Sequence, residues 1–150
     1  MASAVRKHYS DSAQTNGSCV RLYLDTSALV KLIVAESEST ALSDYFQRFA
    51  DDNVFTAALA RTELVRAVAD GGPPAITEAR SLLDSIDTVA LSRSVLDDAA
   101  TLPPPRLRTL DAIHLAAARR AGVALRAVVT YDGRMVEAAA ALGMPHVSPV

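Results

Sequence analysis

The sequence predicts an α/β fold in which a central parallel sheet of four to five strands lies between two layers of helices, a three-layer α/β/α arrangement. Strand-like segments alternate with helical segments along most of the chain. Parallel neighbours in a sheet need long crossover connections, and helices between the strands supply them. A length of 150 residues also suits one domain built around a single sheet.

The first half of the chain begins with a strand that stops abruptly. In "RLYLDTSALVKLIVAE" an apolar run ends at Asp25, and a second apolar run follows after two small hydroxyl residues. This change indicates a strand that is followed directly by a helix. We predict strands at 20–25 and 53–56, and helices at 27–35, 38–50 and 57–70.

Glycine and proline divide the second half of the chain. Gly71-Gly72-Pro73-Pro74 precedes "AITEARSLLDSI", in which apolar residues recur on one helical face. Pro103 to Pro105 stop the helix that comes before them, and Gly122 ends the helix that comes after. The predicted helices are 75–86, 93–101, 109–122 and 134–143, and the predicted strands are 88–92, 124–131 and 146–150.

The overall composition excludes two classes of protein. Half of the residues are hydrophobic and 21% are charged, which does not fit a disordered chain. No stretch approaches the roughly 18 uncharged apolar residues that span a bilayer, so we expect a soluble protein with no membrane partner. The net charge of −2 provides no general attraction to nucleic acid, so RNA binding requires a local basic patch.

The N-terminal segment differs from the rest of the chain, because it is polar and shows no periodicity. We therefore expect a flexible extension at 1–19 and a single domain over residues 20–150. The only cysteine, Cys19, cannot form an internal disulfide, and the first 20 residues lack the apolar core of a signal peptide. Both observations favour a cytoplasmic location.

Four acidic residues occupy positions where α/β proteins often carry their chemistry. Ligands of open parallel sheets bind beyond the carboxyl ends of the strands. Asp25 and Asp132 directly follow predicted strands, Asp111 falls in the first turn of its predicted helix, and Glu63 lies inside another helix. If these elements pack as predicted, the four side chains converge on one edge of the sheet.

Each of these acids also has a purely structural interpretation. Asp25 and Asp111 stand at helix starts, where a carboxylate caps free amides or complements the helix dipole. Asp132 begins an Asp-Gly dipeptide, which is typical of a turn. Glu63 has an arginine three residues further on, a spacing that permits an ion pair on the helix surface. Singly, none of the four acids indicates a function.

The sequence around the four acids resembles one family. The four acids lie in the segments "RLYLD", "ARTEL", "RTLDAIHLAAA" and "VVTYD". The combination of "LDTSALVKL" with "TLDAIHLAAA" is typical of one family and not of α/β proteins in general. The chain resembles the PIN-domain ribonucleases, and most closely the VapC-type toxins of bacterial toxin–antitoxin pairs. The resemblance covers residues 20–150, which is the whole predicted domain.

The resemblance implies a PIN-like fold and a metal-dependent endoribonuclease toxin that hydrolyses RNA phosphodiester bonds. The family's catalytic acids, which bind Mg²⁺ or Mn²⁺, fall on Asp25, Glu63, Asp111 and Asp132. Because Mg²⁺ usually takes only one or two carboxylates directly, we expect Asp25 and Asp111 to be the most direct ligands. The two hydroxyls that orient carboxylates in the family fall on Thr26 and Thr130.

The resemblance also implies two protein partners, a cognate VapB-like antitoxin that crosses the acidic groove and a second subunit in a homodimer. The helix predicted at 27–35 has more apolar surface than one face buries. That surplus suits the antitoxin, the second subunit, or a helix covered on both sides within one chain. Where the family often has a bulky apolar residue after the last acid, this chain has Met135, which preserves a core contact.

RNA binding also requires positive charge near the acids. Five arginines lie close to Asp111 in the sequence, namely Arg106, Arg108, Arg119, Arg120 and Arg126. We expect Arg106 and Arg108 to contact phosphate, because the planar guanidinium presents a fork of donors. Lys31 and Arg134 are further candidates for phosphate contacts. The arginines at the end of the Asp111 helix alternatively complement the helix dipole.

His114 follows Asp111 by three residues, a spacing that can place two metal ligands on one helix face. No second histidine stands at ligand spacing, and the flanking residues are apolar. We therefore predict a packed histidine without metal duty.

A second functional hypothesis is a PIN-like RNA-binding or protein-interaction module with little or no catalysis. The presence of all four acids argues against a degenerate site. Metal-dependent cleavage of RNA distinguishes the two hypotheses.

Overall fold

The computed structural model describes residues 20–150, and the extension predicted at 1–19 lies outside the described residues. Its strands are β1 (Arg21–Leu24), β2 (Asn53–Ala57), β3 (Asp87–Val89), β4 (Leu125–Val129) and β5 (His146–Val147). They form one sheet in the order β3-β2-β1-β4-β5, and every neighbouring pair is parallel. The first strand of the sequence therefore lies at the centre of the sheet.

Helices connect the strands and cover the sheet. They are α1 (Thr26–Ile33), α2 (Ser39–Arg48), α3 (Ala60–Ala67), α4 (Gly72–Asp84), α5 (Arg93–Ala100), α6 (Thr109–Arg119) and α7 (Gly133–Ala141). Short 3₁₀ turns lie at Ala69–Gly71 and Gly122–Ala124. Between residues 20 and 150, no helix has the length and apolar character needed to cross a membrane.

The side chains of β1 alternate between two hydrophobic cores, as the period of a strand requires. Leu22 and Leu24 pack into the core under α1 to α4, whereas Tyr23 packs into the core under α5 to α7. Met135 is buried in the second core, as expected from its position after the last acid. Helices on both faces of a parallel sheet confirm the predicted three-layer α/β/α fold.

Two helix starts differ from the prediction by three residues, and the others agree to within one residue. Helix α4 begins at Gly72, because Pro73 and Pro74 occupy its first turn, where a backbone N–H has no helical partner and proline is tolerated. Helix α3 begins at Ala60, because β2 continues to Ala57 through its pairing with β3. Both differences lie at element boundaries, where local pattern is least informative.

The strand order brings the carboxyl ends of β1 and β4 together. Leu24 pairs with Val129, and the N–H of Asp25 donates a hydrogen bond of 3.2 Å to the carbonyl oxygen of Val129. The next residues along the two strands, Asp25 and Thr130, are therefore direct neighbours at the edge of the sheet.

Candidate active site

Asp25 ends β1 and caps α1. Its Oδ1 accepts hydrogen bonds from Ser27 Oγ at 2.6 Å and from the N–H of Ala28 at 3.1 Å, and its Oδ2 accepts one from Thr130 Oγ1 at 2.6 Å. The side chain is buried, with the residue 4% exposed. Burial raises the pKa of the Asp25 carboxyl, although the hydrogen bonds from Ser27 and Thr130 oppose the shift. Asp25 is thus a helix cap and also a buried carboxylate held in one orientation.

Asp132 lies two residues beyond Thr130 and caps the next helix. The N–H of Asp132 donates a hydrogen bond of 3.2 Å to Thr130 Oγ1, and its Oδ1 accepts one of 2.9 Å from the N–H of Arg134 at the start of α7. Its other oxygen lies 3.7 Å from the Arg134 guanidinium. Thr130 therefore links the carboxylate that follows β1 to the residue that caps α7.

Glu63 reaches the site from α3 and is held by two donors. Its Oε2 accepts a hydrogen bond of 2.5 Å from Thr26 Oγ1 and lies 2.6 Å from His114 Nε2. Burial alone would raise the pKa of Glu63, but the hydrogen bonds from His114 and Thr26 lower it below its usual value. Glu63 is therefore ionised at neutral pH. Thr26 contacts a carboxylate, although that carboxylate is Glu63 and not its sequence neighbour Asp25.

Asp111 has a polar atom without a partner. Its Oδ2 is buried and accepts no hydrogen bond from any residue in the described range 20–150. Burial raises the pKa of Asp111, the charge of Asp132 raises it further, and Arg134, His114 and Arg108 oppose the shift. A buried oxygen beside a second carboxylate is unfavourable without a cation, because each such atom costs about 1–3 kcal/mol when unpaired.

The donor set fits a hard cation that retains much of its water. Across residues 20–150, no three His, Cys, Asp or Glu side chains are arranged to enclose a metal ion. Mg²⁺ normally binds through one or two carboxylates and keeps several waters, so a closed cage is not required. The unpartnered Asp111 Oδ2 is the atom of this site that most needs a cation.

Basic side chains flank the acids on one side. Asp111 lines a cavity of about 370 Å³. The predicted phosphate contacts Arg106, Arg108 and Arg134 also line it, together with Glu137 and apolar residues. Two other arginines of the predicted patch are directed elsewhere, since Arg120 pairs with Asp98 and Arg126 pairs with Asp52. Arg119 does not line this cavity either, so among the described residues the arginines that line it are Arg106, Arg108 and Arg134.

The position of Lys31 argues against the predicted phosphate contact. Its side chain is buried and its ammonium forms ion pairs with Glu36 and Glu38. The ammonium also lies 4.6 Å from the centre of the Tyr131 ring. Sequence reasoning missed this arrangement because both glutamates lie beyond the end of α1 and return to it only through the following loop.

His114 is packed, as predicted, but its polar contacts were missed. It is 3% exposed, and its Nδ1 lies 2.6 Å from the Tyr23 hydroxyl while its Nε2 contacts Glu63. Ser27 was also overlooked, although its hydroxyl donates to Asp25 and accepts from the N–H of Tyr131. The one available signal for His114 was its spacing from Asp111, one helical turn away on the same face.

The fold and the acids at the edge of its sheet define an α/β protein whose candidate site lies at the carboxyl ends of its strands. Comparison with known proteins is more specific, because the sequence model of the PIN domain matches residues 22–141. The chain is 48% identical over 128 residues to ribonuclease VapC46 of Mycobacterium tuberculosis, covering 85% of this chain and 97% of that protein. It is 47% identical over 133 residues to ribonuclease VapC35 of the same species, covering 85% and 96%.

Solved structures agree with the fold. The crystal structure of VapC20 from Mycobacterium tuberculosis, described as a sarcin–ricin loop cleaving toxin, matches with a TM-score of 0.67 at 16% identity, covering 85% of this chain and 99% of that one. A toxin–antitoxin complex from Klebsiella pneumoniae matches with a TM-score of 0.64 at 17% identity, covering 86% and 98%. This chain therefore belongs to the PIN-domain family, among the VapC-type ribonucleases, which confirms the family predicted from the sequence.

Proposed function

We propose that this protein is a metal-dependent endoribonuclease toxin that hydrolyses RNA phosphodiester bonds and is neutralised by a cognate VapB-like antitoxin. The observation that carries the proposal is the buried, unpartnered oxygen of Asp111, which lies in an acidic site beside a cavity lined by arginines. The identity of 48% to a ribonuclease over nearly its whole length supports the same activity.

The cofactor in this proposal is Mg²⁺ or Mn²⁺. Asp25 and Asp111 would hold the ion most directly, and Glu63 and Asp132 would act through water. When bound, the ion would supply positive charge that stabilises the phosphoryl group during attack by water. Like-charged carboxylates in a partly buried site favour such a cation, and the raised pKa values of Asp25 and Asp111 reflect the same cost of charge burial.

The protein's own residues orient the carboxylates. Thr130 donates to Oδ2 of Asp25, so this carboxylate cannot rotate without losing a buried hydrogen bond. Thr26 donates to Oε2 of Glu63 and restricts the second carboxylate in the same way. Orientation of this kind lowers the reorganisation that reaction would otherwise require.

The RNA backbone would enter along the cavity beside Asp111. Arg106 and Arg108 precede α6, and Arg134 lies in the first turn of α7, so two separate segments of the chain supply the three arginines that line the cavity. Guanidinium groups bind phosphate in a bidentate geometry and supply the local positive charge that the net charge of −2 does not. They would hold the phosphates that flank the bond to be cut.

Membership of the family supports an antitoxin partner, and the proposal also includes a homodimer and a cytoplasmic location. We place the antitoxin across the acidic groove and a second copy of the chain in a homodimer. Helix α1 provides limited surface for either, because Val30 and Ile33 are half-buried against the core. Val34, the residue that follows the helix, is 42% exposed. The lone cysteine supports a cytoplasmic location, where disulfides are rare.

The test is cleavage of total cellular RNA by the purified protein with Mg²⁺, with Mn²⁺ and with a chelator, followed by mapping of the RNA ends. Asp25→Asn and Asp111→Asn should each reduce cleavage by more than about 100-fold, the upper end of what loss of an outer-shell group costs. Asp70→Asn, in the exposed 3₁₀ turn at Ala69–Gly71, is the matched control and should cut normally. Cleavage that persists in chelator, or in both site variants, would contradict the proposal.

The alternative is a PIN-like module that binds RNA or protein with little catalysis. It predicts that the parent protein binds RNA without cutting it under any metal condition. The same cleavage assay therefore separates the two functions.

A further inference from the structure

A chain of hydrogen bonds, buried at Tyr23 and partly buried at Glu63, joins the second hydrophobic core to the acidic site. Tyr23 on β1 contacts His114 Nδ1 at 2.6 Å, and His114 Nε2 on α6 contacts Glu63 Oε2 at 2.6 Å. Glu63 Oε2 also accepts a hydrogen bond of 2.5 Å from Thr26. The proposed function assigns roles to acids and hydroxyl residues of the site, and it assigns none to Tyr23 or His114.

The chemistry of the partners determines where the protons lie. A carboxylate oxygen accepts hydrogen bonds, so in the 2.6 Å contact with Glu63 Oε2 the ring nitrogen Nε2 of His114 is the donor. The Tyr23 phenol carries one O–H group, which is buried against the ring of His114. The Tyr23 hydroxyl lies within hydrogen-bonding distance of the other ring nitrogen, Nδ1. Both ring nitrogens are used, and a flipped ring would place carbon atoms against both partners.

The two donors on Glu63 meet at the same oxygen. Thr26 and His114 both donate to Oε2, and Oε1 accepts no hydrogen bond from any side chain or backbone group in the described part of the chain. The Glu63 side chain is 23% exposed. One carboxylate oxygen is thus anchored in the protein while the other remains available to solvent or to a cation.

We propose that His114, held in place by Tyr23, is a positioning residue that anchors Oε2 of Glu63 and thereby presents Oε1 to the active site. This inference rests on the proposed function, since it assigns the supporting residues of that site. An ordinary packed histidine would need only satisfied nitrogens. Here one of the two partners is a carboxylate of the active site, and the ring connects α6 and α3 to the central strand.

Two substitutions of similar polarity at His114 distinguish a residue that positions Glu63 from a residue that is only packed. In His114→Gln the amide nitrogen lies as many bonds from the backbone as Nε2 does, so the donor to Glu63 is retained. In His114→Asn the amide reaches only as far as Nδ1, so the contact with Tyr23 is possible and the donor to Glu63 is lost. Both variants bury one amide in place of the ring, and circular dichroism identifies those that fold.

We expect His114→Asn to lower kcat by about 10- to 100-fold, the usual cost of removing a group that orients a metal ligand, with KM for RNA little changed. His114→Gln should recover most of the activity. Mn²⁺ titration followed by thermal shift provides a readout without RNA, and His114→Asn should require about 10-fold more Mn²⁺ for half-maximal stabilisation, whereas His114→Gln should resemble the parent.

Several outcomes would overturn the inference. His114→Asn that cuts RNA and binds Mn²⁺ like the parent, or folded Gln and Asn variants that lose both properties equally, would show that the donor to Glu63 has no special role. If neither variant folds, Tyr23→Phe decides, because it preserves the ring: reduced kcat at unchanged KM supports the inference, and full activity overturns it. A parent protein that neither cuts RNA nor responds to Mn²⁺ would overturn the proposed function together with this inference.

Discussion

The hydroxyl of Thr130 donates a hydrogen bond of 2.6 Å to Asp25 Oδ2, although 105 residues separate the two in the sequence. Thr130 is fully buried and Asp25 is 4% exposed. Water cannot replace a donor that is lost from such a position, so the bond carries more weight than a surface contact.

Thr130→Val is therefore expected to reduce the free energy of unfolding by about 1–3 kcal/mol at neutral pH, because it leaves a buried carboxylate oxygen without its donor. Thr130→Ser retains the hydroxyl and should lose less. Urea denaturation at pH 7 measures both. A Thr130→Val variant as stable as the parent would show that this hydrogen bond contributes nothing measurable to stability.

Asp111→Asn should stabilise the metal-free protein at neutral pH. Burial and the charge of Asp132 raise the pKa of Asp111, and a carboxyl with a raised folded pKa contributes stability that is complete below its unfolded pKa of about 4 and is lost as the pH rises through the folded pKa. The amide side chain of the Asp111→Asn variant does not ionise, so the variant does not lose this stability as the pH rises. Melting temperatures in chelator should therefore agree near pH 4 and favour the variant at pH 7.

At neutral pH, added metal should make the parent protein more stable than Asp111→Asn. Mn²⁺ at millimolar concentration should raise the melting temperature of the parent, because a ligand that binds only the folded state stabilises it. It should leave Asp111→Asn nearly unchanged, with Asp70→Asn as the matched control. A variant that responds to Mn²⁺ as the parent does would place the cation away from Asp111.

Arg106 and Arg108 are expected to bind RNA backbone. In an Asp25→Asn background that prevents cleavage, the double replacement with alanine should weaken RNA binding and should reduce the slope of log K against log salt by about 0.7 for each lost phosphate contact. Arg80→Ala, at an exposed position of α4 outside the cavity, is the matched control. Fluorescence anisotropy across a salt series measures the slope, and an unchanged slope would exclude these arginines from the interface.

We expect Lys31 to contribute to the stability of the fold and not to RNA binding. Its ammonium lowers the pKa of Glu38 to about 2, and its stem is buried beside Tyr131. Lys31→Met should lower the melting temperature by about 2–4 °C, the effect of a modest loss of stability in a chain of this size. RNA affinity in the Asp25→Asn background should not change. Weaker RNA binding without loss of stability would contradict this expectation and support the phosphate contact predicted from the sequence.

Local pattern was sufficient for most of the fold. The apolar run before Asp25 and the breaks at glycine and proline predicted the strands and helices in the right order, because strand and helix periods are properties of neighbouring residues. The errors lie at boundaries. Helix α4 includes two prolines that look like a break, and β3 and β5 are shorter than predicted because pairing with a neighbouring strand decides where an edge strand ends.

The sequence alone determined the α/β class, the PIN-domain family and the four acids that lie near strand ends and helix starts. Only the tertiary structure decided what those acids contact. Tyr23 and His114 are 91 residues apart, and His114 and Glu63 are 51 apart, so their hydrogen bonds exist only because the strand order places β1 beneath α6 and next to β2. Likewise, the path of the loop after α1 brings Glu36 and Glu38 into contact with Lys31. Hydrogen bonds depend on distances of a few tenths of an ångström, and those distances are set by the packing of whole elements.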